Sequence, residues 1–207
     1  SGDKAVEALS KVPSKECAEY IARDGNAAAD VVNKFSNKGI EYANISSDQM
    51  YDILSKGNGS RPDVSTYLTD EYIHKHLSKF NNGFTVIQTN NAYEKFTTNN
   101  KLVGNPKDNT LFVMPKEYCD KIFSEANGDV AYIEKALGFS EGHFAKNGGT
   151  MWRIDVDDVS KCNLTIPNGN ESGANSFGIP GGYTSGGVPE AVSDTIKLSE
   201  AKVTRLN

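Results

Sequence analysis

The sequence predicts an α+β fold, with a small mixed or antiparallel sheet in the C-terminal half, accompanying helices, and a short helical region in front. Three observations carry this. Before position 60 the apolar residues Val6, Leu9, Cys17, Tyr20, Ile21, Val31, Val32 and Phe35 recur at helical spacing. Met151, Trp152, Arg153, Ile154, Asp155 and Val156 instead alternate at strand period, with Trp152, Ile154 and Val156 on one face. Strand patterns crowd toward the end of the chain rather than alternating with helices, which argues against a doubly wound sheet.

Taken in order, Pro13 and Gly25-Asn26 cut the first helical stretch into short pieces, and Gly39 stops it. Ser46-Ser47-Asp48 caps a helix through Met50, Ile53 and Leu54. The run Gly57-Asn58-Gly59-Ser60-Arg61-Pro62 has the composition of a flexible connection. It divides the chain into a helical region, residues 1–60, and a main domain, residues 61–207. Thr69-Asp70-Glu71 caps a short helix carrying His74, His76, Leu77 and Phe80, and Asn81-Asn82-Gly83 turns the chain into a strand over 84–89. A second strand, 111–114, is closed by Pro115. Residues 116–125 and 129–137 are expected to be helices, the latter ended by Gly138. Tyr93 and Phe96 are assigned to the core, and His143 to an exposed Gly-rich connection. Short strands are expected around 164–166 and 190–192, with a last one over 201–206.

Composition narrows the function. The 207 residues are 37% hydrophobic and 24% charged, with a formal net charge of −5. That apolar share suffices for a core and excludes wholesale disorder. No run of 18 apolar residues occurs, so no spanning helix is expected. Nor is a signal peptide expected within these residues, because no basic start precedes an apolar block. The first sixty residues hold 7 Lys+Arg against 9 Asp+Glu, and the remainder 15 against 18. Neither part has the cation excess that nonspecific nucleic-acid binding requires. Cys17, Cys119 and Cys162 are odd in number and far apart, so they read as idle or buried thiols rather than a disulfide framework or zinc site. Asp155, Asp157 and Asp158 lack the loop and terminal Glu of a calcium site, and no metal is expected.

The chemistry concentrates in one segment. Residues 168–187 contain seven of the nineteen glycines, together with Glu171, Asn175, Thr184 and Ser185, and Glu190 follows closely. Glycine permits positive φ and close approach of the backbone to another group. Neither GxGxxG after a strand nor GxxxxGK[ST] is present, so the two common phosphate cradles are excluded.

The blocks RIDV at 153–156, LTIPNGNESGAN at 164–175 and IPGGYTSGGVPEAV at 179–192 form a long pattern, preceded by YIHKHLSKF at 72–80 and FVMP at 112–115. Over roughly residues 65–207 this pattern resembles the C-terminal toxin domains of bacterial polymorphic exoproteins, those of contact-dependent growth inhibition and filamentous-haemagglutinin type. Thr165 departs from it, standing where a basic residue is usual. The resemblance implies an antibacterial effector at the tip of a secreted or cell-surface exoprotein. Such an effector acts in the cytoplasm of neighbouring bacteria and is neutralised by a cognate immunity protein. Residues 1–60 would then belong to an entry or connector region and residues 61–207 to the toxin effector domain, and the full exoprotein would carry the signal peptide.

Three chemistries stay open. The first is an NAD-consuming enzyme similar to ADP-ribosyltransferases and NAD glycohydrolases, with NAD as substrate and no metal. Glu190 and Glu171 would act at the ribose, Asn175, Thr184 and Ser185 would hold it, and Arg153 would bind the pyrophosphate. The second is a metal-independent, tRNA-cleaving ribonuclease with His76 as acid or base, assisted by Lys79, Arg153, Thr184 and Ser185. The third is a non-enzymatic module that binds an essential protein of the target cell.

Overall fold

The computed structural model describes residues 34–174, 178–184 and 186–207. The helical pieces expected before residue 34, and the expected binding residues Asn175 and Ser185, lie outside the described residues.

A helical turn over 34–37 stops at Gly39, where φ is +71°. Helix α1 (Ser47–Leu54) opens with a capping box in which Ser46 accepts from the Gln49 N–H and the Gln49 side chain accepts from the Ser46 N–H. Helix α2 (Asp70–Ser78) starts at Thr69, whose hydroxyl accepts from the Tyr72 N–H, with Asp70 and Glu71 placed favourably in the first turn. Strand β1 (Phe84–Thr89) leads into a helical run, Asn90–Ala92, Tyr93–Thr97 and Thr98–Asn100, whose middle turn is a π turn. Then come β2 (Leu102–Val103), β3 (Leu111–Pro115), α3 (Lys116–Ala126), α4 (Val130–Leu137), α5 (His143–Lys146) and β4 (Met151–Val156). The chain closes with β5 (Gly178–Ile179), β6 (Tyr183–Thr184), β7 (Ala191–Ser193), β8 (Ile196–Lys197) and β9 (Lys202–Arg205).

The fold is α+β. Five strands make one antiparallel sheet in the order β7-β3-β1-β4-β9, while β2 pairs with β8 and β5 with β6. Register divides the side chains by face. Phe84, Val86, Val113, Ile154 and Val156 join Phe80, Val103 and Ile196 in one core. Ile87, Met114 and Met151 pack on the other face against Cys119, Ile122, Ile133, Leu137 and Phe144 from the region α3–α5. Burial on both faces is why β3 reads as a continuous apolar run rather than an alternation. Cys119 and Cys162 are buried in different cores, and burial pushes the Cys119 thiol up to about 12. Among the described residues no helix is long and apolar enough to cross a membrane.

A third core joins the two sides of the division drawn at residue 60. Phe35, Ile45, Met50 and Ile53 pack with Leu68, Ile166 and Tyr183. The run 57–62 is a clamp rather than a loose connection. Asn170 accepts the Gly59 and Arg61 N–H groups at 2.9 and 2.8 Å and donates to the Arg61 carbonyl at 2.9 Å. The turn composition serves a tight loop whose polar backbone groups find partners more than a hundred residues away. Residues 34–60 are thus packed as part of the same body as the sheet.

Three local expectations differ from the structure. At 164–166 there is a single bridge, Thr165 exchanging hydrogen bonds with Val192 at 2.9 and 2.8 Å. Pro167, which has no N–H, follows at once. Phe96 is 54% exposed instead of in the core, because the π turn gives its inward positions to Tyr93 and Thr97. Tyr93 stacks on Trp152 at 4.1 Å, and Thr97 donates to Gln88 at 2.7 Å. His143 is partly buried, stacked on Phe139 at 4.4 Å. Its Gly-rich surroundings are pinned by the buried Glu134 carboxylate, which accepts the Gly142 and Phe144 N–H groups, both at 3.0 Å.

If residues 34–60 fold as one unit with the sheet, Phe35→Ala should cost about 3–5 kcal/mol in urea unfolding and keep a single transition. A loss below about 1 kcal/mol, or a separate early transition, would contradict the shared core.

Candidate functional site

The segment from β6 to β7 crosses the end of α2 and the C-terminal half of α4. Gly182 has φ +85°, and a Cβ there would lie 2.5 Å from His76 Nε2. A Cβ on Gly186 would lie 2.3 Å from the Ala136 carbonyl oxygen. At both places the group that needs the space is the protein's own. Lys38 donates to the Gly186 carbonyl at 2.8 Å, the Tyr72 hydroxyl to Gly181 at 2.6 Å, and the Tyr42 hydroxyl to Pro180.

This packing fixes Glu190, the residue before β7. Its N–H donates to the Gly182 carbonyl at 2.8 Å, and its own carbonyl lies 2.9 Å from His76 Nε2. A carbonyl only accepts, so Nε2 carries the proton. His76 is 1% exposed, wedged between Tyr72, Phe80 and Tyr183. Burial pushes its imidazole down to about 4, outweighing the Glu190 bond, and Lys79 adds to the fall. The ring is therefore neutral at pH 7, and its buried Nδ1 meets no partner among the described residues.

Two adjoining recesses, of about 180 and 80 Å³, share Phe112, Leu137, Phe139, Thr184 and Glu190 in their walls. Arg61, Asn168 and Gly169 complete the larger one. The Glu190 carboxyl has no hydrogen-bond partner among the described residues. Burial, and then the charge of Glu171, push it up to about 7.

Glu171 sits in a turn that walls the larger recess through Asn168, Gly169 and Gly173. One carboxylate oxygen accepts the Asn168 and Gly169 N–H groups at 2.8 and 3.4 Å, and the other is buried without a partner among the described residues. The turn is stapled from outside by Ser172, which donates to Asp108 from its N–H and hydroxyl at 3.0 and 2.7 Å, and by Asn58, which donates to the Glu171 carbonyl at 3.1 Å.

The remaining expected residues divide. Thr184 lines both recesses, but its hydroxyl is engaged, donating to the Ala136 carbonyl at 2.9 Å and accepting from Val188 N–H at 3.2 Å. Arg153 lines neither recess. Its guanidinium is held by both Asp155 oxygens at 3.2 and 3.0 Å and by Asp120 at 2.7 Å. The structure thus brings together Glu190, Glu171, Thr184 and the carbonyl-bonding His76, and leaves Arg153 in an ion-pair network on β4. Sequence reasoning missed Arg61, Phe112 and Phe139. The sole arginine of the 57–62 run was a signal for the first; nothing local marks the two phenylalanines as cleft walls. Among the described residues no trio of His, Cys, Asp or Glu is placed to hold a metal ion. Compared with known proteins, the chain matches no protein-family model and no curated protein.

The two shifted groups pull stability in opposite directions with pH. Between the usual carboxyl value of roughly 4.3 and about 7, folded Glu190 holds more proton than the unfolded chain, so its contribution falls as pH rises. Between about 4 and the usual imidazole value of roughly 6.5, folded His76 holds less proton, so its contribution falls as pH drops. The effects oppose each other over the shared window. Glu190→Gln should therefore expose the His76 slope, with stability rising from pH 4.5 to 6.5, and should exceed the native protein by about 3 kcal/mol at pH 8. Urea melts across that range measure it; equal stability at pH 8 would refute the buried charge.

Proposed function

We propose that the protein is an antibacterial effector domain that consumes a nicotinamide dinucleotide, with Glu190 as the group acting at the reacting ribose. The observation that carries this reading is the Glu190 carboxyl, raised to about 7, facing a cleft, without a protein partner among the described residues and beside the charge of Glu171. A carboxyl kept in such surroundings costs stability, and perturbed acids in clefts mark sites of chemistry.

Loss of nicotinamide breaks the C1′–N bond, with the electron pair leaving on nitrogen, and builds positive charge on the ribose ring. A carboxylate against that ring stabilises the charge, as in glycoside hydrolysis. Water then forms the new C1′–O bond and releases one proton, or a protein side chain takes its place. The nicotinium ring is itself cationic, and its arrival favours the ionised form of Glu190. Phe112 and Phe139 offer apolar walls to a flat ring. A recess of about 180 Å³ is smaller than the roughly 300–1,000 Å³ that encloses a whole ligand, so it suits one end of a dinucleotide.

The effector role rests on the resemblance over 179–192, the stretch that carries Glu190. It brings with it the cognate immunity protein and action inside target bacteria. The ribonuclease reading is the weaker one, since it asks a buried imidazole, down at about 4, to exchange protons with RNA.

Expression inside bacteria should arrest growth and empty the NAD pool. Glu190→Gln should leave the fold intact and cost about 10²–10³ in the rate of NAD loss. Arrest with fragmented RNA and intact NAD would favour the ribonuclease, arrest with neither change a binding module, and harmless expression of folded protein would overturn the effector reading.

A further inference from the structure

We infer that His76 is the positioning residue of Glu190, aiming its carboxyl into the cleft through a hydrogen bond to its backbone rather than exchanging protons itself. The inference rests on the reading of Glu190 as the reacting group.

The argument starts from what the Glu190 side chain lacks. With no partner for the carboxyl among the described residues, its aim is set by the backbone from which it projects. That backbone is held at two points, the Gly182 carbonyl and His76 Nε2. Gly182 belongs to the same Gly-rich segment and moves with it. His76 belongs to α2, a capped helix whose Tyr72, Ile73 and Leu77 pack into the surrounding cores. On its other side Glu190 runs directly into β7, whose Ala191 pairs with Val113 of the sheet, so the imidazole is the tie that sets the Glu190 peptide against α2 as well as against the sheet.

The residue type fits the task. A leucine would fill the space between Tyr72, Phe80 and Tyr183 and leave no polar atom stranded. The histidine strands Nδ1 instead and gains a donor at the Glu190 carbonyl. Gly182 makes the approach possible, since any larger residue there would meet Nε2. The charged groups near the ring are Lys79, on α2 itself, and Glu41, Glu71 and Lys75, which share a recess with His76, while the ionisable Tyr72 and Tyr183 pack against it. Among the described residues no carboxylate hydrogen-bonds the ring, Glu41 being held by Lys75 and Nε2 by the Glu190 carbonyl, so none orients His76 as a general base.

Two substitutions separate positioning from packing. His76→Gln keeps an N–H donor at similar reach, and His76→Leu fills the space without one. On the intact protein, His76→Leu should lower kcat for NAD consumption about 10–100-fold with KM changed less than about twofold, and His76→Gln should recover most of it. Carbon-13 titration of the Glu190 carboxyl requires no substrate. Its midpoint should fall toward the ordinary range in His76→Leu, as the carboxyl turns out to water, and stay near the native value in His76→Gln. Ring nitrogen-15 shifts of the native protein should show the neutral Nε2–H form, a readout that survives if His76→Leu fails to fold. Equal loss in both variants, an unmoved Glu190 titration in His76→Leu, or the Nδ1–H form would each overturn the inference. A native protein that consumes no NAD but shows the expected titrations would overturn the enzymatic reading and leave the positioning role standing.

Discussion

A hydrogen bond of 2.9 Å, from a buried imidazole to a main-chain carbonyl, links helix α2 to the residue that leads into β7. Around it, rings from two cores converge: Phe80 from the sheet side, Tyr183 from the side of residues 34–54. The bond can form because position 182 lacks a Cβ, and residue 182 can adopt its φ because it is glycine. Alanine there would bring a steric and a conformational penalty together. The glycine-rich stretch is shaped largely by what it must pass closely.

The same arrangement stores free energy. A carboxyl held near neutrality's edge and an imidazole nitrogen without a partner each weaken the folded state, and both sit within one residue's reach of the same peptide plane. Sequences that specify folds avoid stranded polar groups, and where they retain them the site commonly has work to do. The surroundings bear the cost. Three cores close over this junction, and the Glu171 turn is braced by Asn58, Asp108 and Asn168, so the strain is confined to side chains while the backbone is heavily bonded.

What could be read from the residues was local. Strand β4 announces itself through alternation, β3 through a short apolar run and β1 through the turn residues before it, and α2 and α4 through Thr69, Asp129 and Gly138 at their ends. Glu190 and Glu171 stood out as carboxylates within a glycine-rich run. What escaped was set by distance along the chain. Nothing near Gly57–Pro62 says that Asn170 will satisfy its N–H groups, so the run read as a linker. For Arg153 the pairing with Asp155, two positions on, was within reach of the sequence, whereas its second partner, Asp120 on α3, lies thirty-three positions away. The strands of two residues, β2 and β8, are too short to show a period at all. His76 was legible as a residue of interest and illegible as to role, since burial, not sequence, decides whether an imidazole trades protons or holds a carbonyl.

The cysteines carry a different implication. With burial lifting the Cys119 thiol well above its usual range, it stays protonated at pH 7, and that sulfur is sealed from solvent. Cys162 is buried in another core, so the two cannot meet without dismantling both. Electrophiles and oxidants therefore see these two sulfurs only during excursions that open the cores. Alkylation of the two sites runs as a clock on those excursions, one hand for each side of the sheet.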